Sequence, residues 1–260
     1  MDITERAMEA ACLVRDKLPI MVLTGAGISV GSNIPTFRGE NGLWSRYDPF
    51  EYGHIDTFRR DPAKTWVLLK EMMRSTIGAK PNEAHISLAR MESKGWVGPI
   101  VTQNVDGLHI MAGSRDVLEV HGNIRRLYCP SCGERKRVPE EHLDEFEPLC
   151  VCGSYIRPDI VLFGEQLPFK EFRRALVLAE KGRSMLIIGT SGVVQPAASL
   201  PIQARMAGGI VIEINPAPSE LTGSISNVFI QACATEGIDA FERALEDVLE
   251  RSPMEPLNNS

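Results

Sequence analysis

Six short apolar runs constrain this chain more than any other feature: Ile20-Met21-Val22-Leu23-Thr24, Pro99-Ile100-Val101-Thr102, Val117-Leu118-Glu119-Val120, Met185-Leu186-Ile187-Ile188, Ile210-Val211-Ile212-Glu213-Ile214 and Val228-Phe229-Ile230. Each reads as a buried strand. Helical apolar spacing lies between most of them. It is visible at Ala7, Ala10, Ala11, Val14 and Leu18, over 83–93, 170–180 and 197–206, and at Ile238, Phe241, Leu245 and Leu249. Strand and helix in alternation predict an α/β, Rossmann-like, doubly wound parallel sheet. Such sheets bind ligands beyond the carboxyl ends of their strands, so the residues that follow each run are the candidates for function.

Two stretches break the alternation: 39–77, helical in pattern around Trp66, and 123–158, which holds four clustered cysteines. They predict a smaller module formed by insertions, leaving 1–38, 78–122 and 159–251 as the Rossmann-like domain; 252–260 lacks periodicity and is expected to be a disordered tail. The composition, 43% hydrophobic and 24% charged, fits a globular chain, and a formal charge of -6 argues against a mainly electrostatic grip on nucleic acid. No apolar run reaches the roughly 18 residues that cross a bilayer, and the acidic start Met1-Asp2-Ile3-Thr4-Glu5 lacks the plan of a signal peptide. A soluble, cytoplasmic protein is expected.

The clustered cysteines form two close pairs, Cys129-Pro130-Ser131-Cys132 and Cys150-Val151-Cys152. The two-residue gap of the first lets both sulfurs face one metal, and four thiolates suit tetrahedral, structural Zn²⁺ with no open position for a catalytic water. The second pair is the tighter C-x-C, with Gly153 placed to relieve its turn. A redox pair of thiols is the other reading of these residues. Cys12 and Cys233 are expected as small buried hydrophobes. Taken alone, the cysteines also suit a non-catalytic zinc-ribbon module that binds nucleic acid, against which the charge and the missing aromatic-basic stripe weigh.

The first run leads directly into Gly25-Ala26-Gly27-Ile28-Ser29-Val30-Gly31-Ser32, whose glycines let backbone amides approach a pyrophosphate; an ordinary strand-to-helix turn is the plainer reading. The polar segment Asn33-Ile34-Pro35-Thr36-Phe37-Arg38-Gly39 follows. Gln103, Asn104 and Asp106 stand at the mouth of the sheet, where Asn104 or Asp106 could equally cap a helix. His121 closes the Val117-Leu118-Glu119-Val120 run before Gly122 and titrates near neutral pH, as a general base should. His54, His85, His109 and His142 are assigned to loops or helix surfaces. Val161-Leu162-Phe163-Gly164-Glu165 is strand-like, and Gly189-Thr190-Ser191 and Asn215 follow strands.

In this order the segments resemble the sirtuin family in its prokaryotic form. The shared motifs are G-A-G-x-S, then G-I-P-x-F-R with Asn33 in place of the first glycine, Thr102-Gln103-Asn104-Val105-Asp106-Gly107-Leu108-His109, His121-Gly122, the four cysteines, Arg157-Pro158 with 161–165, Gly189-Thr190-Ser191 and Ile214-Asn215. They run from Gly25 to about Ala234. The resemblance implies a deacylase that converts acyl-lysine and NAD to lysine, nicotinamide and 2′-O-acyl-ADP-ribose. An NAD-dependent ADP-ribosyltransferase would use the same bond cleavage and stays open as an alternative.

The resemblance also implies residue roles. His121 is the general base, with Asn104 and Asp106 as catalytic partners; Asp106 holds the nicotinamide carboxamide, and Gln103 and Asn104 contact its ribose. The rest of the NAD site comprises Gly25, Ala26, Gly27, Ser29, Pro35, Thr36, Phe37, Arg38, Val105, Gly189, Thr190, Ser191, Asn215, Pro216, Ala217 and Ala234. One zinc ion takes Cys129, Cys132, Cys150 and Cys152. An extended acyl-lysine peptide pairs with 161–165, contacting Val161, Phe163, Gly164, Glu165 and Val193, with Val105, Val161 and Phe163 lining the acyl tunnel. Direct nucleic-acid or membrane binding is not expected. Family members that prefer acidic acyl groups carry Tyr-x-x-Arg over the pocket, where this chain has Leu69 and Met72, so a neutral acyl group is implied. The plainer alternative has Leu69 and Met72 in a core and Lys70 or Arg74 reaching the pocket.

Overall fold

The computed structural model describes residues 2–37 and 42–251. All six apolar runs form strands of one sheet: β1 (Ile20–Thr24), β2 (Val97–Thr102), β3 (Val117–Glu119), β7 (Ser184–Ile188), β8 (Ile210–Asn215) and β9 (Val228–Gln231). Every pairing is parallel, in the order β3-β2-β1-β7-β8-β9. The chain winds outward from β1 in one direction and from β7 in the other, so the strand order reverses between them. That is where a crevice opens at the carboxyl ends of an α/β sheet.

The helices Ile3–Val14, Glu83–Ser93 and Ala234–Arg251 cover one face around a core that includes Ala7, Ala10, Leu88, Ile212, Ile238 and Phe241. Phe169–Glu180 and Ser199–Met206 cover the other around Leu23, Val101, Ile187 and Leu200. The opening helix stops short of the predicted Leu18. Leu18 precedes Pro19, which drives it to extended backbone (φ -70, ψ 153), and the chain tightens into a 3-10 turn over Arg15–Lys17.

A second sheet is antiparallel, in the order β5-β4-β6, from β4 (Gly122–Tyr128), β5 (Arg135–Arg137) and β6 (Arg157–Ile160). With the helices Pro49–Tyr52, Ile55–Arg60 and Pro62–Thr76 it encloses a separate core containing Trp66, Leu68, Leu69, Ile124, Leu127 and Ile156. Trp66 is buried with its indole N–H donated to the Ile156 carbonyl at 2.9 Å, which satisfies the one polar atom it carries.

Three expectations need correction. The stretch 161–165 is not a strand: β6 ends at Ile160, and Phe163 makes a lone parallel bridge to His54 before the chain turns at Gly164 (φ 83). Cys12 and Cys233 are exposed rather than buried. His85 and His109 are buried, not on helix surfaces. Among the described residues no helix is long and apolar enough to cross a membrane. The expected disorder of 252–260 falls outside the described residues.

Candidate active site

Beyond β1 the chain passes so close to the loop after β7 that side chains have no room. A Cβ on Gly25 would sit 2.8 Å from the Gly189 carbonyl, and one on Gly27 would sit 2.6 Å from the Gly189 Cα. The Gly27 amide donates to the Gly189 carbonyl at 2.9 Å. These glycines therefore serve loop-on-loop packing at the crevice. The next residues wind into a 3-10 helix, Ala26–Ser32, closed by Asn33 in the left-handed region (φ 61, ψ 24). Asparagine is the residue after glycine that best tolerates this conformation.

Gln103, Asn104 and Asp106 leave the end of β2 and meet this turn. Asn104 donates its amide to the Gly25 carbonyl and to Ser29 Oγ, both at 3.1 Å, and Ser29 Oγ donates to Asp106 Oδ2 at 2.7 Å. The other carboxylate oxygen, Oδ1, accepts from the Leu108 amide at 2.9 Å, so Asp106 also takes part in starting the short helix Leu108–Met111. Asn104 and Asp106 are both buried. They line one side of a cavity whose other walls include Ile34, Pro35, Phe37, Met72 and Val105, apolar surface facing a few fixed polar groups. Ala26 and Ser29 line the same cavity.

His121 is half-buried beyond β3, and its Nδ1 lies 2.8 Å from the Gln103 carbonyl. A carbonyl only accepts, so Nδ1 carries the proton and Nε2 keeps its lone pair. Burial holds the imidazole pKa below its usual value, against the smaller opposing effect of that hydrogen bond. Gly122 has φ 81, and any Cβ there would overlap the Asp159 carbonyl on the neighbouring strand. Gln103 also donates from Nε2 to Thr190 Oγ1 at 2.9 Å, tying the β2 loop to the β7 loop.

Behind this cluster lies a pair of imidazoles that sequence reasoning misassigned. Thr24 Oγ1 donates to Thr102 Oγ1 at 2.9 Å and so accepts from His109 Nε2, also at 2.9 Å. The His85 and His109 rings are 4.9 Å apart, and burial lowers their pKa values to about 4 and about 3 respectively, with Asp106 opposing the shift at His85. Both are neutral at pH 7.

The segment after β6 folds beside His121: the Val161 amide donates to the His121 carbonyl at 2.9 Å. Phe163 is paired on one edge with 53–55, donating to the Gly53 carbonyl and accepting from the Ile55 amide. Glu165 does not point away from its own chain. Its two oxygens accept from Arg157 at 2.9 and 2.7 Å, and one also accepts from the Leu162 amide at 2.8 Å. Trp44 and Phe50, which the sequence did not single out, meet Phe163 edge-on and tilted with ring centres 5.8 and 5.6 Å away, and Trp44 stacks on Phe37 at 5.4 Å. Their signal was aromatic type alone, without periodicity.

Of the two residues expected over the acyl pocket, both pack in the second core, as the plainer alternative had it, and Met72 also lines the cavity. Lys70 and Arg74 are held outward on Asp144 through its carbonyl at 3.1 Å and its carboxylate at 2.6 Å. Thr190 and Asn215 are buried at the ends of β7 and β8; Ser191, Pro216, Ala217 and Val193 are exposed, and Ala234 begins the last helix. Arg38 lies outside the described residues.

The sulfurs of Cys129, Cys132, Cys150 and Cys152 all lie within 4.8 Å of one another, with closest approaches of 3.6 and 3.5 Å. Tetrahedral zinc with Zn–S bonds of about 2.3 Å requires sulfurs about 3.8 Å apart, so the four thiols fit one ion. The C-x-C half reaches this geometry because Val151 swings out, 89% exposed, and Gly153 (φ 84) turns the chain back so its amide donates to the Cys150 carbonyl.

Comparison with known proteins agrees with this geometry. The profile of the Sir2 family matches residues 25–196. An NAD-dependent protein deacylase of Pyrococcus furiosus is 46% identical over 222 residues, 83% of this chain and 88% of that one. A crystal structure of a Sir2 homolog–NAD complex superposes with a TM-score of 0.84 at 39% identity, covering 94% of each chain. A Sir2 variant with a deacetylated p53 peptide and 3′-O-acetyl ADP ribose gives a TM-score of 0.83 at 35% identity, covering 98% of this chain and 100% of that one.

Proposed function

This chain belongs to the Sir2 family, and we propose that it is an NAD-dependent protein deacylase that converts an acyl-lysine and NAD to lysine, nicotinamide and 2′-O-acyl-ADP-ribose. The observation that carries the reading is the tautomer of His121: with Nδ1 committed to the Gln103 carbonyl, Nε2 is a free base beside a buried polar cluster. NAD, when bound, supplies the ADP-ribosyl group and the nicotinamide leaving group. Ile34, Phe37 and Met72 exclude water from the cavity; Ser29 and the Leu108 amide orient Asp106, which receives the carboxamide; Asn104 and Gln103 hold the ribose. His121 accepts a proton at Nε2 from a ribose hydroxyl. The loops at Gly25, Gly189 and Asn215 hold the rest of the cofactor. A zinc ion on the four cysteines stiffens the small sheet and, with every ligand position filled by protein, takes no part in the chemistry.

We assign the NAD-binding domain to 1–38, 78–122 and 159–251 and the small domain to 39–77 and 123–158; in support, the buried residues of the first core all come from the former and, apart from Ile160 and Leu162 where β6 crosses the boundary, those of the second all come from the latter. The substrate is an extended acyl-lysine peptide laid along 161–165. In support, the Gly164 amide makes no hydrogen bond with the described residues, which leaves backbone for a peptide to pair with. Glu165 acts there through Arg157, as the brace of the segment. A cytoplasmic location fits six unbridged cysteines. Mass spectrometry of an acetyl-lysine peptide incubated with NAD tests the reaction. Loss of the acetyl group with release of O-acetyl-ADP-ribose supports it, and ADP-ribose gained by protein, or no change, refutes it.

The acyl group is neutral. A carboxylate brought against Met72 would be desolvated without a partner, since Lys70 and Arg74 are engaged on Asp144, whereas an alkyl chain gains from the same surface. Matched acetyl-, myristoyl- and succinyl-lysine peptides are expected to show succinyl removed slowest by kcat/KM. Faster removal of succinyl than of acetyl would refute this preference.

A further inference from the structure

Glu213 lies near the carboxyl end of strand β8 and is completely buried, yet among the described residues no cation touches it. Ile212 and Ile214 point to the face covered by the first and last helices, which leaves Glu213 and Asn215 on the opposite face, beneath the loop 216–226. Four neutral donors satisfy its carboxylate. Oε1 accepts from Asn215 Nδ2 at 2.9 Å and Ser219 Oγ at 2.5 Å; Oε2 accepts from Thr222 Oγ1 at 2.8 Å and Ser226 Oγ at 2.7 Å. A buried carboxylate persists only where such donors are fixed, and here three of the four belong to one loop.

The consequence falls on Asn215. Its amide nitrogen also donates to the Thr190 carbonyl at 3.0 Å, so both N–H bonds are used inward. A carboxylate and a carbonyl can only accept, which fixes the amide in one of its two flips. Oδ1 accepts no hydrogen bond from the described residues and is not a buried orphan, so it is the face that Asn215 presents outward. An outward oxygen takes a hydroxyl, which donates. It repels a phosphate, which at neutral pH mainly accepts.

We propose that Glu213 is a positioning residue that sets cofactor selectivity. By locking Asn215 with Oδ1 outward, and by fastening loop 216–226 to the Gly189-Thr190-Ser191 loop, it shapes a site for a dinucleotide with free adenosine-ribose hydroxyls rather than one carrying a 2′-phosphate. The fastening is visible at a second point: the Glu220 amide donates to the Ser191 carbonyl at 3.3 Å, and a Cβ on Gly192 would meet the Leu221 side chain at 2.7 Å. The inference rests on the reading that NAD's adenosine half lies at the ends of β7 and β8.

Three variants test it. Glu213→Leu removes the acceptor and frees the amide to flip. Glu213→Gln keeps one oxygen for Asn215 and meets Thr222 and Ser226 with an amide their hydroxyls can accept, so it should restore function. Thr222→Val with Ser226→Ala releases the loop while keeping the carboxylate. Binding of ADP-ribose by calorimetry, KM for NAD and for an acetyl peptide, and the NAD:NADP ratio of kcat/KM are measured for each. Glu213→Leu is expected to weaken ADP-ribose about tenfold, raise KM for NAD alike, and shrink the NAD preference about tenfold, with kcat and peptide KM within about twofold. The double variant, which keeps Glu213 itself and so stands in if Glu213→Leu fails to fold, should weaken ADP-ribose severalfold. Variants that lose thermal stability but keep wild-type ADP-ribose affinity and NAD:NADP ratio overturn the inference alone. Wild-type protein that binds neither ADP-ribose nor NAD overturns the cofactor reading and this inference with it.

Discussion

His121 illustrates how one contact sets a residue's chemistry. The Gln103 carbonyl takes the Nδ1 proton, and burial keeps the ring neutral, so the basic form exists throughout the neutral range and is lost only as pH falls below the ordinary imidazole value of 6.5. The acid limb of kcat/KM is therefore expected below pH 6.5, and a limb centred above 7 would identify a different base. His121→Ala should cost roughly 10²–10⁴-fold in deacylation with little change in ADP-ribose affinity; near-normal turnover on an acetyl-lysine peptide would remove it from the mechanism. The type and strand-end position of this histidine were legible in the sequence. The role of Glu165 was not, because its partner Arg157, 2% exposed and set over the rings of Phe58 and Tyr128, is identified by three-dimensional packing alone. Glu165→Ala strands that guanidinium and should destabilise the protein by about 3 kcal/mol. It should also raise KM for the peptide more than KM for NAD, and equal changes in the two constants would count against a brace specific to 161–165.

At the scale of elements, the parallel sheet was readable because its strands are buried on both faces and so appear as unbroken apolar runs. The small sheet gave no such signal. Its strand Arg135–Arg137 is wholly exposed and polar, and it is held by its register on β4 and by the turns at the cysteines rather than by an apolar face. His85 and His109 were misread for a related reason: a polar residue on a helix looks solvent-facing until another helix packs over it, as Glu83–Ser93 and Leu108–Met111 do here. The cysteines were legible as a metal site, and the tighter C-x-C half joins it with Cys152 Sγ 3.6 Å from Cys129 Sγ. Because a structural zinc contributes folding free energy directly, Cys150→Ser or Cys152→Ser should lose the metal, melt the small sheet early and lower activity as a secondary effect. Asn104→Ala should separate from these by keeping one zinc per chain and a normal melting curve while turning over poorly. Metal analysis finding no zinc in the wild-type protein would refute the site.

For the whole molecule, the two imidazoles behind the active site link stability to pH. The folded pKa values of about 4 for His85 and about 3 for His109 lie below the unfolded value of 6.5, so between these limits the unfolded chain binds more protons than the folded one. Their contribution is fully present above pH 6.5 and drains away as pH falls toward 4. His121, shifted in the same direction, adds to it. Unfolded carboxylates titrate mainly near pH 4, so the interval from 6.5 to 5 reports chiefly on imidazoles. The sum is on the order of 3 kcal/mol at pH 5, and at about 2–4 °C per kcal/mol it should lower the melting midpoint by roughly 10 °C relative to pH 7. Zinc content measured at each pH separates this loss from release of the metal, whose thiolates also protonate in acid. A His85→Asn/His109→Gln variant cannot titrate at either position, and its midpoint should fall less steeply over the same interval even if it starts lower. A wild-type midpoint that stays level from pH 7 to 5, or a variant with the same slope, would show that the buried pair does not govern acid stability.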